Sequence, residues 1–154
     1  MELLFIYFNF IYDLIKDFYI IVILIYFLVL VIFYSGSLPG SPILSIASGF
    51  FFGFYIGYLI NIFSILIGSF IFVFLAKYFF KKLFSNLYKK YSNKINLLLK
   101  NSTYEYLILL RIILGTPLFI QNLCLSFTNI SKTKFFISSF IGFSPLMLLF
   151  SYIG

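Results

Sequence analysis

The chain has no histidine, no tryptophan, a single cysteine and only four acidic residues among 154. Without histidine the commonest general base and the most frequent zinc ligand are missing, which argues against hydrolytic chemistry. One cysteine, Cys124, permits neither an intramolecular disulfide nor a CxxC metal site, and its apolar surroundings read as packing. Charge is scarce as well: 10% of residues are charged, against about 25% in a soluble domain. What fills the space is apolar, at 63% hydrophobic and 24% aromatic residues. No water-soluble fold buries that much apolar surface. The expectation is an all-α integral membrane protein with one membrane domain, no cofactor and no enzymatic activity.

The remaining charge is unevenly placed. Seven lysines fall between Lys77 and Lys100, flanked by apolar blocks. That setting reads as a cytoplasmic loop against anionic headgroups and not as a nucleic-acid surface. Within it, Phe80, Phe84, Leu87, Tyr91, Ile95 and Leu98 share one helical face, opposite Lys82, Lys89 and Lys100, which predicts an amphipathic helix on the cytoplasmic membrane surface.

Residues 1–17 are too short an apolar stretch to span and predict an interfacial segment; residues 18–154 form the membrane domain. Residues 18–34 are uncharged, about 26 Å of helix at 1.5 Å per residue, and read as a first span, retained and not cleaved as a signal. Residues 38–53 carry Pro39, Gly40 and Pro42 at one end and Gly49 and Gly53 at the other, leaving only a short apolar stretch between breakers. Such a segment predicts a re-entrant hairpin. Residues 54–76 carry no charge and read as the second span; Gly53, Gly57 and Gly68 mark a packing seam along it. Residues 106–128 repeat the broken pattern around Gly115 and Pro117 and contain Arg111, and 135–154 read as a third span.

Charge then sets topology. Lys16, Lys77–Lys100, Lys132 and Lys134 are assigned to the cytoplasm of a plasma membrane, so that 38–53 and 106–128 each enter and leave on one side. The result is about three transmembrane helices and two opposed re-entrant hairpins in an inverted repeat, with Pro39 to Gly68 and Pro117 to Gly142 as corresponding stretches.

The run Leu38 to Gly53, a Pro-Gly opening followed by GxxFG at Gly49, Phe52 and Gly53, resembles the signature of the DedA/VTT family. In the second half the family's Arg, paired prolines, Asn and Leu-Gly-Leu-Thr turn correspond to Arg111, Leu114, Pro117, Asn122 and Leu125 to Thr128. Leu114 stands where the family has proline and Ser126 where it has glycine; Val73 and Lys77 occupy the family's Phe-x-x-x-Arg positions. The resemblance covers about residues 36–154. It implies a further C-terminal helix beyond Tyr152-Ile153-Gly154, so that the chain is expected to be a fragment or a minimal form, its last helix supplied in a homo-oligomer by a neighbour. It also implies paired acidic residues before the first hairpin in one branch, which this sequence lacks between Asp17 and Glu105.

The resemblance implies lipid scrambling, flipping of polyprenyl-phosphate carriers, or ion-coupled transport, with membrane lipids as partners. A noncatalytic assembly factor is the alternative of a different class. Arg111 is the foremost candidate, either holding a phosphate or snorkelling and pairing with Glu105. Gln121, Asn122 and Ser126 line a polar route or satisfy freed backbone groups. Pro39, Gly40, Gly49, Gly53, Gly115 and Pro117 shape the hairpins, and Lys77 snorkels at its interface.

Overall fold

The structure is a computed structural model and describes residues 18–83, 93, 104–112 and 117–154. The expected interfacial segment 1–17, Gly115, and the amphipathic stretch beyond residue 83 as far as Lys100 lie outside the described residues, Asn93 apart. Among the described residues all regular structure is helical: α1 (Tyr19–Ser35), α2 (Ser41–Phe52), α3 (Phe54–Leu83), α4 (Tyr104–Ile112), α5 (Leu118–Ser126) and α6 (Lys132–Ile153). Two stretches, Phe54–Phe79 and Lys132–Ile153, are long and apolar enough to cross a membrane.

Helix α1 ends where the backbone locks itself. Leu38 N–H donates to the Phe33 carbonyl at 2.9 Å and Ser37 N–H to the Tyr34 carbonyl at 3.2 Å, with Ser37 left-handed at φ 48°. This is a Schellman closure, and Pro39 prevents any continuation. Gly40, at φ 99°, then turns the chain into α2, with Pro42 in its first turn, where a missing N–H costs nothing. Gly53, at φ 78°, makes the corner between α2 and α3.

The first half departs from expectation in one respect. The residue 36–40 turn is the tip of a helical hairpin whose two arms are α1 and α2. Tyr19, at the start of α1, packs its ring on Phe52, at the end of α2, at 6.2 Å. Tyr26 does the same at 5.2 Å and donates its hydroxyl to the Leu44 carbonyl at 2.6 Å. Both ends of the hairpin therefore lie together, beside the start of α3. At 17 residues α1 is also shorter than either candidate span.

Helix α1 runs alongside the first half of α3, and α4 alongside the first half of α6. Tyr34 and the Val31 carbonyl sit against Gly68, where an added Cβ would lie 2.5 Å from Tyr34 Cβ. Arg111 and the Ile108 carbonyl sit against Gly142, where it would lie 2.4 Å from Arg111 Cβ. Gly68 and Gly142 are near the middle of the long helices, so the ends of α1 and α4 each lie at mid-length of a long neighbour. The long helices themselves are antiparallel, Asn61 bonding Ser151 at one end and Phe70 packing on Phe135 towards the other.

The two halves cross over each other. Helix α2 packs on α6 as well as on α3, and α5 packs on α3. Gly49 and Gly57 let α2, α3 and Ser151 of α6 approach closely, and Asn61 ties the junction through the Ser45 carbonyl at 2.9 Å and Ser151 Oγ at 3.0 Å. Helix α6 begins at Lys132, three residues before the expected start, because Ser131 caps it by accepting from Lys134 N–H at 3.4 Å.

The distribution of polarity is inverted relative to a soluble protein. Ile20, Leu24, Leu28 and Ile32 form an exposed stripe on α1, while Ser45, Ser48, Asn61, Ser64, Ser69 and Ser139 are fully buried. In lipid, apolar side chains gain little by turning inward, and small polar residues permit close helix contact. Gly142→Ala should therefore destabilise the protein by about 1–3 kcal/mol through overpacking against Arg111. Thermal unfolding in detergent, with exposed Ile141→Ala as control, should show a lowered midpoint for the first variant alone.

Candidate functional site

Arg111 is the last basic side chain that α4 offers, and its surroundings explain how a cation sits inside the fold. Its stem lies on Gly142, and its guanidinium carbon lies 4.7 Å from the Phe143 ring centroid and 5.4 Å from that of Phe135. Aromatic faces stabilise a cation by their quadrupole, most strongly away from water. Nη1 donates to Asn122 Oδ1 at 2.8 Å and to Gln121 Oε1 at 3.5 Å, both presented by the first turns of α5. Pro117 sets the start of that helix, at φ −55° and ψ 136°.

The other edge of the guanidinium has no such support. Nε and Nη2 are buried and have no hydrogen-bond partner, and neither has Asn122 Nδ2. Arg111 itself is 3% exposed. Neither alternative reading of its charge matches this placement. The side chain does not reach out to an interface, and among the described residues no ion pair joins it to Glu105, whose side chain is exposed on α4. Glu105 is the only carboxylate among those residues.

Arg111 and Gln121 line a cavity of about 510 Å³ together with Tyr34, Ser37 and Gly40 of the first hairpin tip. Pro39 and Pro117, the breakers of the two hairpins, face it from the two sides. Apart from Ser41 its remaining wall is apolar, and α6 contributes Phe143, Met147 and Phe150 to it. The cavity thus lies between the 36–40 turn, Arg111 near the end of α4 and the start of α5, and its size is that of a small-ligand site.

The opposite wall is organised by a residue that the sequence reading passed over. Tyr34 is buried and shares a hydrogen bond of 2.6 Å with Ser45 Oγ, and its hydroxyl lies 3.8 Å from Met147 Sδ. Ser45 Oγ in turn donates to the Ser41 carbonyl at 3.0 Å. Tyr34 is the counterpart of Arg111: each lies in the last turn of its helix, sits on a mid-helix glycine, and bonds a residue eleven positions later, Ser45 or Asn122. That shared spacing was the available signal, hidden because tyrosine and arginine share no chemistry visible in a motif.

The other expected positions fall as follows. Gly49 lies in the α2, α3 and α6 junction and Gly53 at its corner, both away from the cavity lining. Asn122 does not line the cavity either and acts on it through Arg111. Ser126 is buried with its hydroxyl donated to the Leu123 carbonyl at 2.6 Å, a local backbone bond. Cys124 is exposed, not packed inside. Lys77 is engaged: Nζ donates to the Thr128 carbonyl at 3.0 Å and to Asn129 Oδ1 at 3.3 Å, tying the end of α3 to the turn between α5 and α6. Among the described residues no cluster of His, Cys, Asp or Glu could hold a metal ion.

A family model of the VTT domain matches residues 38–154, most of the chain. The chain therefore belongs to the VTT domain family, within the DedA/VTT group that its motifs resemble, and its apolar helices are those of a membrane protein. Comparison with curated proteins and with solved structures returns no match.

Removing the acceptor that holds Nη1 should be costly, because a buried charged donor would lose its closest partner. Asn122→Leu should lower stability by about 1–3 kcal/mol. Chemical denaturation in mixed micelles checks this, and Asn122→Asp, which keeps an acceptor, should retain most of the wild-type stability.

Proposed function

We propose that the chain moves lipids across a bilayer, with the phosphate of the headgroup passing between the two hairpin tips and held in transit by Arg111. The observation that carries this reading is the unpartnered Nε and Nη2 edge of the buried guanidinium of Arg111, a residue of the cavity wall. That edge is the fork that matches two oxygens of a phosphate, while Nη1 is already occupied. A buried donor without an acceptor is expensive, and a phosphate supplies acceptors only. The open donor on Asn122 has the same sense.

In a bilayer, α3 and α6 cross, and the α1–α2 and α4–α5 hairpins enter from opposite faces and stop near the midplane. Lys77, Lys132 and Lys134 lie at one end of the long helices, and the positive-inside rule assigns that end to the cytoplasm. Phe18 and Gly154 then lie at the outer face, in place of the cytoplasmic start expected from Lys16. The barrier between the two faces is then only the short stretch around the cavity. Acyl chains remain in lipid against the apolar exterior while the headgroup passes. The fork is closed to solvent in this conformation, so passage includes an opening of one tip against the other. The lipids of a plasma membrane are the partners in this reading, and no covalent chemistry is assigned.

Proteoliposomes carrying a fluorescent phospholipid or a polyprenyl phosphate test this directly. At equal, verified insertion, wild type should move at least one of them, and Arg111→Gln should slow that movement by tenfold or more. Arg111→Lys, which keeps charge but loses the fork, should fall between the two. Unchanged movement in Arg111→Gln removes the phosphate role. Movement that follows membrane potential and not lipid identity favours an ion-coupled transporter, and absence of any movement favours an assembly role.

A further inference from the structure

Ser37 occupies the left-handed C′ position of α1, at φ 48°, where glycine is the residue that fits without strain. Its hydroxyl is buried and has no hydrogen-bond partner. It gains nothing from the backbone it distorts, since the Schellman closure uses only main-chain groups. The same residue lines the cavity that Arg111 lines from the other hairpin. A strained backbone carrying an unsatisfied polar group at a cavity wall marks a place where local stability is given up for contact with a ligand.

We infer that Ser37 is a ligand-binding residue, donating its hydroxyl to the same phosphate that the Arg111 fork takes, so that one anion is shared between the two hairpin tips. This rests on the reading of the cavity as a phosphate site and adds the first hairpin's contribution to it. The chemistry is complementary. Arg111 can only donate, a serine hydroxyl rotates to donate, and a phosphate monoester accepts from both. Neutral Tyr34 is the Arg111 counterpart in the first half and is already engaged with Ser45. The open group that this tip offers is therefore Ser37. Sharing also couples the tips: an anion bound to both holds them together, and its departure frees one to move against the other.

Replacement of Ser37 by glycine separates ligand binding from folding, because it removes the hydroxyl and the strain together. The full chain in lipid nanodiscs of phosphatidylcholine is titrated with short-chain phosphatidic acid, with inorganic phosphate, and with short-chain phosphatidylcholine. Thermal unfolding is recorded without added ligand. Ser37→Gly should unfold at or above the wild-type temperature and yet bind phosphatidic acid about tenfold more weakly. Ser37→Ala keeps the strain, removes the hydroxyl, and should show the same loss should the glycine variant fail to fold. Inorganic phosphate competing with phosphatidic acid identifies a free anion as sufficient; failure to compete identifies the lipid headgroup as the ligand, and the hydroxyl's role stands in either case. Wild-type affinity in both Ser37 variants, with binding lost in Arg111→Gln, overturns the role of Ser37 and leaves the phosphate reading intact. No binding of any phosphate probe by wild type overturns both.

Discussion

The structure depends on two close contacts made possible by the missing side chain of a glycine: Tyr34 on Gly68 and Arg111 on Gly142. Each allows the end of a hairpin arm to lie directly on the middle of a long helix. In water such a contact would be one of many, driven by burial of apolar area. In lipid the outer surface is already at rest, so association rests on close packing and on polar groups that have nowhere else to go. The glycines fix where along α3 and α6 the ends of α1 and α4 lie.

From that constraint the polar interior follows. Backbone groups freed at a tip, and hydroxyl and amide groups carried inward, must find partners within the chain. Most do, through short local bonds such as Ser126 to Leu123 and Thr128 to Leu125, or through crossings such as Asn61 to Ser45 and Ser151. The groups left open at the cavity or beside it are Ser37 Oγ, Nε and Nη2 of Arg111, and Asn122 Nδ2. The open acceptor Asn61 Oδ1 and the open hydroxyls of Ser69 and Ser139 belong to residues away from the cavity lining. Around the cavity, therefore, the open groups can all donate, as an anion requires.

Much of this was legible in the sequence. Breakers at Pro39 and Gly40 mark a break in the chain, although they read as the entry to a 38–53 hairpin and stand instead between two helices, Tyr19–Ser35 and Ser41–Phe52; long uncharged runs locate α3 and α6, and an arginine in an apolar block identifies the residue that needs an explanation. What was not legible is pairing. Nothing in residues 18–34 says which segment the helix packs against; Tyr19 and Tyr26 packing on Phe52 are contacts between positions that periodicity does not link. Likewise Tyr34, Ser37 and Phe143 carry no motif, and they enter the site because tertiary packing brings them there. Lys77 read as a residue of the interface, yet it bonds to the turn of the other half, because that turn lies within its reach only in the assembled fold.

The opposed arrangement of the hairpins is the claim on which the site rests, and the side on which each end lies tests it most directly. On a Cys124→Ser background, single cysteines at Tyr19, Phe54, Lys82 and Thr133 are labelled with an impermeant thiol reagent in sealed right-side-out and inverted vesicles. The account predicts that Tyr19→Cys and Phe54→Cys react from one face, and Lys82→Cys and Thr133→Cys from the other. Reaction of Tyr19→Cys and Phe54→Cys from opposite faces would make α1 a crossing helix and contradict the arrangement.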